Sequence, residues 1–294
     1  MPSVSVCVPA YEAASFVERT VDSVLAQTRD DWELVVVDDA STDGTWDVLQ
    51  RYTDDPRVRL FRNERNLGAA ATWNRVVSLA TAPYVKVLCS DDVLRPTCLE
   101  QQAQVLDDDR SGRLQLVVAR RDIVDAADRV LIAGRGLNGL SGRVDGAAAM
   151  RHLVARGTNL FGEPSVTMFR RATLDDVGGF DARWHYMIDL AAYAAVLKRG
   201  DLFAIDGTLA AFRVGPHSWS ARLAATQGRE FRAFIRSVAD DPYFAVPSRQ
   251  RVIGQARATA VAIGRGAVFR WAEWRTGREA APAAAEFEVA GQRS

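Results

Sequence analysis

The 294-residue sequence has no net charge, few cysteines and no long apolar run. Its 37 basic and 37 acidic side chains balance, which argues against a nucleic-acid partner, because such proteins usually carry a basic excess. The 3 cysteines include no C-x-x-C pair, so neither a disulfide framework nor a zinc site is indicated. No stretch approaches the roughly 18 apolar residues of a membrane-spanning helix. Since the first residues also lack a signal-peptide pattern, we expect a cytoplasmic protein.

Short apolar runs alternate with helical patterns through the first third of the chain. Val4–Val8, Leu34–Val37, Val58–Phe61 and Tyr84–Leu88 are predicted strands, and the segments between them have apolar residues at helical spacing. Runs without polar alternation are typical of parallel strands covered by helices on both faces. We therefore predict a Rossmann-like α/β fold, with a mostly parallel sheet flanked by helices.

The rest of the chain is predicted to add further strands and then helices alone. Gly134–Gly142 is rich in glycine and predicts a mobile loop, and Leu202–Ile205 and Leu209–Val214 predict two closing strands. Helices are predicted over Leu223–Val238 and Arg251–Arg275. We expect an α/β unit over 1–215, a helical extension over 216–278 and a disordered tail over 279–294.

Paired carboxylates follow two of the predicted strands. Asp38 and Asp39 follow the second strand, and Asp91 and Asp92 follow the fourth. Ligands of open α/β sheets bind beyond the carboxyl ends of the strands, and adjacent carboxylates repel each other unless a cation or a donor group neutralises them. Asp and Ser also favour turns, which is the alternative explanation for one pair taken alone. Two pairs at neighbouring strand ends favour a binding site.

The two pairs suit different parts of one ligand. Asp91 and Asp92 offer the hard oxygen ligands of Mg²⁺ or Mn²⁺, which typically bind one or two carboxylates together with substrate phosphates. Asp38 or Asp39 could accept hydrogen bonds from the N–H edge of a base, and Tyr11 could stack on that base. No P-loop pattern occurs, so a cation would have to hold the phosphates. These features predict a nucleoside diphosphate held by its base, its ribose and a metal-bridged pyrophosphate.

Several segments resemble the family 2 glycosyltransferases of the GT-A fold. The likeness covers roughly residues 3–215 and is carried by Val4–Glu12, Trp32–Thr45, Asn66–Gly68 with Asn74, Ser90–Asp92 and Met168–Asp181. It implies a catalytic domain over 1–215, with a nucleotide-binding half of about 1–95 and an acceptor half of about 96–215. The implied reaction is inverting transfer of a sugar from a UDP- or TDP-type donor, with Mn²⁺ or Mg²⁺, to a hydroxyl or similar group.

The resemblance also implies roles for individual residues. Asp39 would bind the base, Asp91 would face the ribose and Asp92 would ligate the metal. His217, which follows the last predicted strand, is either a further metal ligand or a surface histidine. Asp189 would be the general base, and the alternative is a carboxylate that only stabilises a helix N-terminus. The implied nucleotide-binding set is Pro9, Ala10, Tyr11, Glu12, Asp39, Asn66, Gly68 and Asp91.

Three positions depart from the usual pattern of the family. Ile188 stands where Glu commonly precedes the catalytic Asp, Cys89 stands where many members carry the first Asp of the metal motif, and Glu12 stands where Asn is common. The first two departures keep open the alternative of a catalytically silent protein that binds sugar nucleotides. A sugar nucleotidyltransferase is a further alternative, although its glycine- and Arg/Lys-rich loop is absent after the first strand, where Pro9–Glu12 stands.

The basic, partly amphipathic segment Arg251–Arg275 has several interpretations. It could pack on the catalytic domain, form a homodimer, shape an acceptor pocket or lie on an anionic membrane surface, the last being less favoured. The acceptor stays open among a glycan, a lipid-linked sugar and a natural product.

Overall fold

The computed structural model describes residues 1–215 and 224–261. The strands are β1 (Val4–Ala10), β2 (Trp32–Asp38), β3 (Val58–Arg62), β4 (Tyr84–Val87), β5 (Val93–Leu94), β6 (Leu114–Val124), β7 (Val130–Arg135), β8 (Gly142–Val144), β9 (Thr167–Arg170) and β10 (Asp201–Arg213). They form one sheet in the order β3-β2-β1-β4-β9-β6-β10-β5, with β7 paired to β6 and β8 paired to β10.

Uninterrupted apolar runs form the parallel half of this sheet. Every residue of β2 is buried, and β1 pairs with β2 in parallel, from Val4 opposite Trp32 to Ala10 opposite Asp38. Strand β4 pairs with β1 and β3 with β2, also in parallel. The carboxyl ends of β1, β2 and β4 therefore meet at one edge of the sheet, where ligands bind in folds of this type.

Helices cover both faces of the sheet. They are α1 (Val17–Leu25), α2 (Thr45–Gln50), α3 (Ala69–Ser78), α4 (Cys98–Asp107), α5 (Gly146–Arg156), α6 (Arg171–Asp176), α7 (Ile188–Leu197), α8 (Ala224–Asp240) and α9 over 248–261. Alternate strand residues point to opposite faces. Cys7 and Val35 pack with residues of α3, α5 and α7, whereas Val6 and Val36 pack with residues of α1 and α4. The predicted α/β fold with a central sheet between helices is confirmed.

The sheet is more mixed than the sequence predicts. Strand β9 runs antiparallel to both β4 and β6, and β5, β7 and β8 are also antiparallel to their partners. The two predicted closing strands are one strand, β10, whose pairing with β6 shifts register between Ile205 and Thr208. Asp206 and Gly207, which in the sequence predict a turn between two strands, lie at this register shift. A bulge of this kind lets a strand continue past such residues.

The glycine-rich run Gly134–Gly142 packs more closely than a mobile surface loop would. Leu137 has no exposed surface and Leu140 is 8% exposed, so two side chains of the run enter the apolar core. The run includes a G-x-G-x-x-G spacing at Gly134–Gly139. It follows the edge strand β7 and leads to β8 rather than to a helix, so it is not a dinucleotide-binding turn.

The described part of the helical extension packs against the α/β unit. Phe234 and Ile235 of α8 are buried in the core cluster that contains α5 and α7. A Cβ atom on Gly254 of α9 would lie 2.0 Å from the carbonyl oxygen of Val154, so α9 approaches α5 at backbone distance. No helix within 1–215 or 224–261 has the length and apolarity to cross a membrane. Residues 262–294, including the predicted tail, lie outside the described residues.

Candidate active site

The loops after β1 and β2 are joined by side-chain hydrogen bonds. The backbone N–H of Glu12 donates to Ser41 Oγ at 3.0 Å, and the N–H of Thr42 donates to Glu12 Oε1 at 2.9 Å. The N–H of Ala14 donates to the Asp43 carboxylate at 2.9 Å. Two loops at the ligand-binding edge therefore form one cross-linked rim.

Four of the predicted nucleotide-binding residues form the turn at the end of β1. Pro9 and Ala10 end the strand, Ala10 is buried, and Tyr11 is 46% exposed. Glu12 has a φ of 49°, in the left-handed region that Asn tolerates better than most residues. Asn is the residue that the resemblance to family 2 glycosyltransferases implies here, and this backbone conformation is a physical reason for it. In this chain the Glu12 carboxylate is used to hold the Thr42 loop.

Asp39 anchors the segment that leads into α3. Its carboxylate accepts hydrogen bonds from the backbone N–H groups of Leu67 at 2.8 Å and Gly68 at 2.9 Å, and from the side-chain amide of Asn63. Asp39 is 3% exposed, whereas Asn66 is exposed at the rim. A carboxylate has about four lone-pair sites, and three of them are occupied within the protein. Asp39 thus fixes the segment around Asn66 and Gly68, and its contact with a base stays a prediction.

The carboxylates of Asp91 and Asp92 have different surroundings. Asp92 has no exposed surface, its Oδ2 accepts a hydrogen bond from the Ser165 hydroxyl, and its Oδ1 accepts one from the Arg213 backbone N–H at 2.9 Å. Asp91 is only partly buried. A carboxylate bonded on both oxygens and closed to solvent acts as a structural link in this structure, and the predicted role of Asp92 as metal ligand stays a prediction. Asp91 is the accessible member of the pair.

Arg213, the last residue of β10, closes this side of the site. Its side chain is 3% exposed and donates hydrogen bonds to the backbone oxygens of Asp91 and Asp125, both at 2.8 Å. It also forms an ion pair with Asp128 at 2.5 Å. These contacts hold the main chain of the Asp91 loop in place. A single arginine at a strand end has no sequence signal that would identify this role.

Asp189 lies in the first turn of α7. Its Oδ1 accepts a hydrogen bond from the backbone N–H of Leu190 at 2.7 Å. Burial raises the pKa of Asp189 to about 7, and among nearby charges that of Glu163 raises the pKa while that of Arg121 lowers it. A carboxyl group with a pKa near neutrality can accept and release a proton under ordinary conditions, as a general base must.

The turn Gly162–Ser165 connects the segments that carry the predicted site carboxylates. The Ser165 hydroxyl donates to Asp92 in the loop after β4, and the Tyr193 hydroxyl, one turn after Asp189 on α7, donates to the carbonyl oxygen of Gly162 at 3.5 Å. The loop of Asp91 and Asp92 and the helix of Asp189 are therefore both in contact with this turn. Burial raises the pKa of the Cys89 thiol, and the charges of Asp92, Asp91, Asp189 and Glu163 raise it further.

Sequence patterns alone do not identify Glu163 and Ser165 as site residues. They belong to the turn Gly162–Ser165, which leads through a short 3-10 helix (Pro164–Val166) into β9. A run of Gly, Glu, Pro and Ser before an apolar segment indicates a turn, but not what the turn contacts.

The residues present fit a cation that is shared with a substrate. Within the described residues, no group of three or more His, Cys, Asp and Glu side chains is arranged to hold a metal ion. Asp91 provides one partly exposed hard oxygen ligand, and Mg²⁺ commonly binds through one or two carboxylates plus substrate phosphates. Of the two predicted ligands, Asp92 is buried and His217 lies outside the described residues.

Comparison with known proteins gives a family match and partial relatives. A family model described as Glycosyl transferase family 2 matches residues 5–178, more than half of the chain. The putative teichuronic acid biosynthesis glycosyltransferase TuaG of Bacillus subtilis is 43% identical over 106 residues, which cover 36% of this chain and 42% of TuaG. An uncharacterised protein of Mycobacterium tuberculosis is 28% identical over 259 residues, covering 86% of this chain and 75% of that protein. The chain therefore spans less than half of TuaG.

Among solved structures, S. aureus TarS has a similar fold. The structure of TarS residues 1–349 in complex with UDP-GlcNAc has a TM-score of 0.65 and 19% sequence identity, covering 81% of this chain and 66% of that chain. The complex of the same TarS fragment with UDP has a TM-score of 0.60 at 20% identity, covering 79% and 65%. At such identities the likeness establishes a shared fold.

Proposed function

The chain belongs to glycosyl transferase family 2, and we propose that it transfers a sugar from a nucleoside diphosphate to an acceptor hydroxyl, with inversion at the anomeric carbon. The observation that supports this proposal most is that the turn Gly162–Ser165 bonds both to the loop of Asp91 and Asp92 and to α7, the helix that carries Asp189. Asp91 is a partly exposed carboxylate of that loop, and Asp189 is a separate carboxyl group with a pKa of about 7. Such a transfer needs one group of each kind.

The rim formed by the β1 and β2 loops is the proposed donor site. Tyr11 presents an exposed ring on which a base can stack, and Asp39 fixes the neighbouring Gly68 segment. Pro9, Ala10, Glu12 and Asn66 complete this rim. We propose a UDP- or TDP-type donor. The TarS complexes with UDP and UDP-GlcNAc are a reason to test UDP sugars first.

Asp91 is proposed to hold Mn²⁺ or Mg²⁺ together with the diphosphate of the donor. A cation in that place would stabilise the negative charge that grows on the departing diphosphate. The protein's own contribution is to fix the loop. Arg213 holds the Asp91 carbonyl oxygen, and Asp92 ties the same loop to Ser165 and to the end of β10.

Asp189 is proposed to accept the proton of the attacking hydroxyl. A bond forms between the acceptor oxygen and the anomeric carbon while the bond from that carbon to the diphosphate oxygen breaks. The acceptor proton passes to Asp189, and the electron pair of the broken bond leaves with the nucleoside diphosphate. Attack from the face opposite the leaving group inverts the anomeric configuration, as in other displacements at this centre.

For the acceptor we propose a glycan hydroxyl. The support is the name of TuaG, a protein of teichuronic acid biosynthesis, which shares 43% identity with part of this chain. A lipid-linked sugar and a natural product are the other acceptor classes to include in a screen.

A nucleotide-sugar screen tests this function. The full chain is incubated with UDP, TDP and GDP and with their sugars, with and without Mn²⁺, and thermal unfolding is followed. Donors that raise the unfolding temperature are then supplied with acceptors of the three classes, and release of the nucleoside diphosphate is measured. NMR of the product gives its anomeric configuration. We expect stabilisation by one nucleotide class in the presence of Mn²⁺, followed by transfer with inversion.

The outcomes separate the alternatives. Stabilisation by a sugar nucleotide without release of diphosphate would favour a silent binding protein. Formation of a sugar nucleotide from a sugar phosphate and a nucleoside triphosphate would favour a nucleotidyltransferase. Retention of anomeric configuration would contradict the direct displacement.

A further inference from the structure

The first residue after β3 lies beside the end of β2. The two strands pair in parallel as far as Asp38 opposite Arg62, and the backbone N–H of Asn63 then donates to the carbonyl oxygen of Asp38 at 2.8 Å. On the other side of β2, the N–H of Asp39 donates to the carbonyl oxygen of Ala10 at 2.8 Å. Asn63, Asp39 and the turn after β1 therefore lie in one row across the ligand-binding edge of the sheet.

The side-chain amide of Asn63 is enclosed and bonded on both sides. Asn63 is 3% exposed. Its Nδ2 donates to Asp39 Oδ1 and, at 3.3 Å, to the hydroxyl of Thr72 on α3. Its Oδ1 accepts a hydrogen bond from Nη1 of Arg75, which lies one helical turn after Thr72. The amide thus connects α3 to the carboxylate of Asp39.

Arg75 determines which way this amide points. A guanidinium has only donors, so the group that faces it must be the amide oxygen. The amide nitrogen is then directed toward Asp39, as an N–H donor to a carboxylate. If the amide were reversed, its oxygen would face the carboxylate and its nitrogen would face the guanidinium, and both contacts would be repulsive. The orientation of Asn63 therefore follows from the charges on its two sides.

The hydrogen bonds to Asp39 are divided unequally between its two carboxylate oxygens. Oδ1 accepts from Asn63 and from the backbone N–H of Leu67 at 2.8 Å, whereas the hydrogen bond to Oδ2 comes from the N–H of Gly68 at 2.9 Å. Each carboxylate oxygen has about two lone pairs, so within the described residues one lone pair of Oδ2 is left. An ionised carboxylate has no hydrogen to donate. The group that fits this lone pair is therefore a donor, such as an N–H.

We propose that Asn63 and Arg75 are positioning residues of the donor site, which orient Asp39 so that Oδ2 accepts a hydrogen bond from a ring N–H of the nucleotide base. This inference rests on the proposed function, because it takes the rim formed by the β1 and β2 loops as the donor site. It selects a class of base, since uracil and thymine carry a hydrogen on ring nitrogen 3 whereas cytosine has a lone pair there. A site built to bond such a hydrogen rejects a base that lacks it.

The test is calorimetry of UDP and CDP binding, in the presence of Mn²⁺, to the full chain and its variants. Asn63→Leu removes the amide, Arg75→Met removes the group that orients the amide, and a double variant combines the two changes. Unfolding temperature is measured for each variant.

Arg59→Met is the matched control for Arg75→Met. Both arginines are partly exposed, and Arg59 Nη1 donates to a buried carboxylate, that of Glu33, at 2.8 Å. Glu33 is the second residue of β2, so this pair lies at the end of the strand away from the donor rim. Arg59→Met therefore leaves a buried polar group without its partner and does not alter the surroundings of Asp39.

The ratio of UDP affinity to CDP affinity is the decisive quantity. Asn63→Leu leaves the Asp39 carboxylate beside an apolar group and free to turn, so UDP affinity should fall by roughly tenfold, about the effect of one hydrogen bond. Arg75→Met allows the amide to reverse and should lower UDP affinity by a smaller factor. CDP affinity should stay as in the unaltered protein, so the ratio decreases, whereas a general loss of stability would lower both affinities together.

The double variant and the control complete the expected pattern. Because Arg75 acts through the amide, the double variant should have the same ratio as Asn63→Leu. Arg59→Met should keep the ratio of the unaltered protein, whatever its unfolding temperature. If Asn63→Leu does not fold, Arg75→Met with its control is the test, because Arg75 is partly exposed.

Several results overturn the inference. They are equal affinity of the unaltered protein for UDP and CDP, an unchanged ratio in Arg75→Met and Asn63→Leu, an equal decrease of the ratio in Arg59→Met, and a double variant that loses more than Asn63→Leu. If the unaltered protein binds neither nucleotide, the proposed donor site and this inference fail together. A preference for UDP that no variant changes refutes the inference alone.

Discussion

The backbone N–H of Arg213 donates a hydrogen bond of 2.9 Å to the carboxylate of Asp92, across 121 positions of the chain. The second oxygen of that carboxylate accepts a hydrogen bond from Ser165, 73 positions away from Asp92. One buried side chain therefore joins the loop after β4, the turn before β9 and the end of β10. Its neighbour Asp91, by contrast, is only partly buried.

Substitution of Asp91 should affect metal binding, whereas substitution of Asp92 should affect the stability of the fold. Asp91→Asn is expected to abolish the effect of Mn²⁺ on UDP affinity with little change in unfolding temperature, because Asp91 is partly exposed. Asp92→Ala leaves two buried donors without an acceptor, at a cost of about 1–3 kcal/mol for each. That cost lowers the unfolding temperature by several degrees, at about 2–4 °C per kcal/mol for chains of this size range.

Calorimetry of UDP binding with and without Mn²⁺, together with thermal unfolding, measures both effects. Each variant is the control for the other. If Asp92→Ala unfolded like the unaltered protein and lost only its response to Mn²⁺, Asp92 would be the metal ligand after all.

Asp189 should control both the rate and the pH dependence of transfer. Its pKa of about 7 means that the ionised, proton-accepting form decreases below neutrality, so kcat/KM is expected to fall about tenfold per pH unit below pH 7. Asp189→Asn should lower transfer by about 10²–10⁴-fold while UDP affinity is maintained. Steady-state rates across pH 5–9 and calorimetry test this pair of effects.

The same group makes a prediction about stability that does not depend on activity. Burial raises the pKa of Asp189 in the folded protein above its usual value, so the folded state disfavours the ionised form. Stability is therefore retained at low pH and lost as pH rises from the usual carboxyl range through about 7. Asp189→Asn should raise the unfolding temperature relative to the unaltered protein at pH 8, and the difference should shrink at pH 5. An equal difference at both pH values would refute the raised pKa.

The backbone of Gly68 provides a test of the donor rim. Gly68 has φ 83° and ψ 168°, a region open almost only to glycine, and a Cβ atom there would meet nothing within 4 Å. Backbone strain, without any steric clash, is therefore expected to lower the free energy of unfolding of Gly68→Ala by about 1–3 kcal/mol. Because the Gly68 N–H donates to Asp39, the strained variant should also lose UDP affinity.

Gly178 is the matched control for Gly68. It has the same φ of 83° and also open space around the missing side chain, but it lies in the turn after α6. Gly178→Ala should lower the unfolding temperature without weakening UDP binding. Equal losses of affinity in the two variants would show that general destabilisation, rather than the Asp39 contact, determines binding.

Local sequence patterns predict the parallel half of this fold well, since its strands are buried through their own apolar runs. Both the run Val4–Val8 and the carboxylates after the second and fourth strands can be recognised without knowing what lies nearby. The surroundings of each carboxylate, in contrast, cannot be predicted from local sequence patterns. Asp91 and Asp92 are identical in sequence terms, and their division into an accessible and a buried residue depends on Ser165 and Arg213, which are distant in the chain.

The same limit explains why the turn before β9 has no predictable role. Glu163 acquires its orientation from Arg121, 42 positions earlier, and no periodicity connects the two. The division of β10 into two predicted strands has a local cause, since Asp206 and Gly207 resemble a turn but lie at a register shift within one strand. Pairing with β6 on both sides of the shift overrides the local preference.

The helical extension should influence catalysis through Glu230 of α8. Both carboxylate oxygens of Glu230 accept hydrogen bonds at 2.6 Å, from the backbone N–H groups of His185 and Tyr186. These residues lie three and two positions before Ile188, the first residue of α7, and the first turn of α7 carries Asp189. Glu230→Ala leaves the two donors without their acceptor and frees the segment that positions the proposed base. We expect kcat to fall while UDP affinity is unchanged, because the proposed donor site is formed by the β1 and β2 loops.

Asp240→Asn is the control on the same helix, because Asp240 is 68% exposed and pairs only with Arg251 at the surface among the described residues. Rate measurements at saturating donor, with UDP calorimetry, distinguish the two variants. A normal kcat in Glu230→Ala would show that α8 supports the fold without positioning the base.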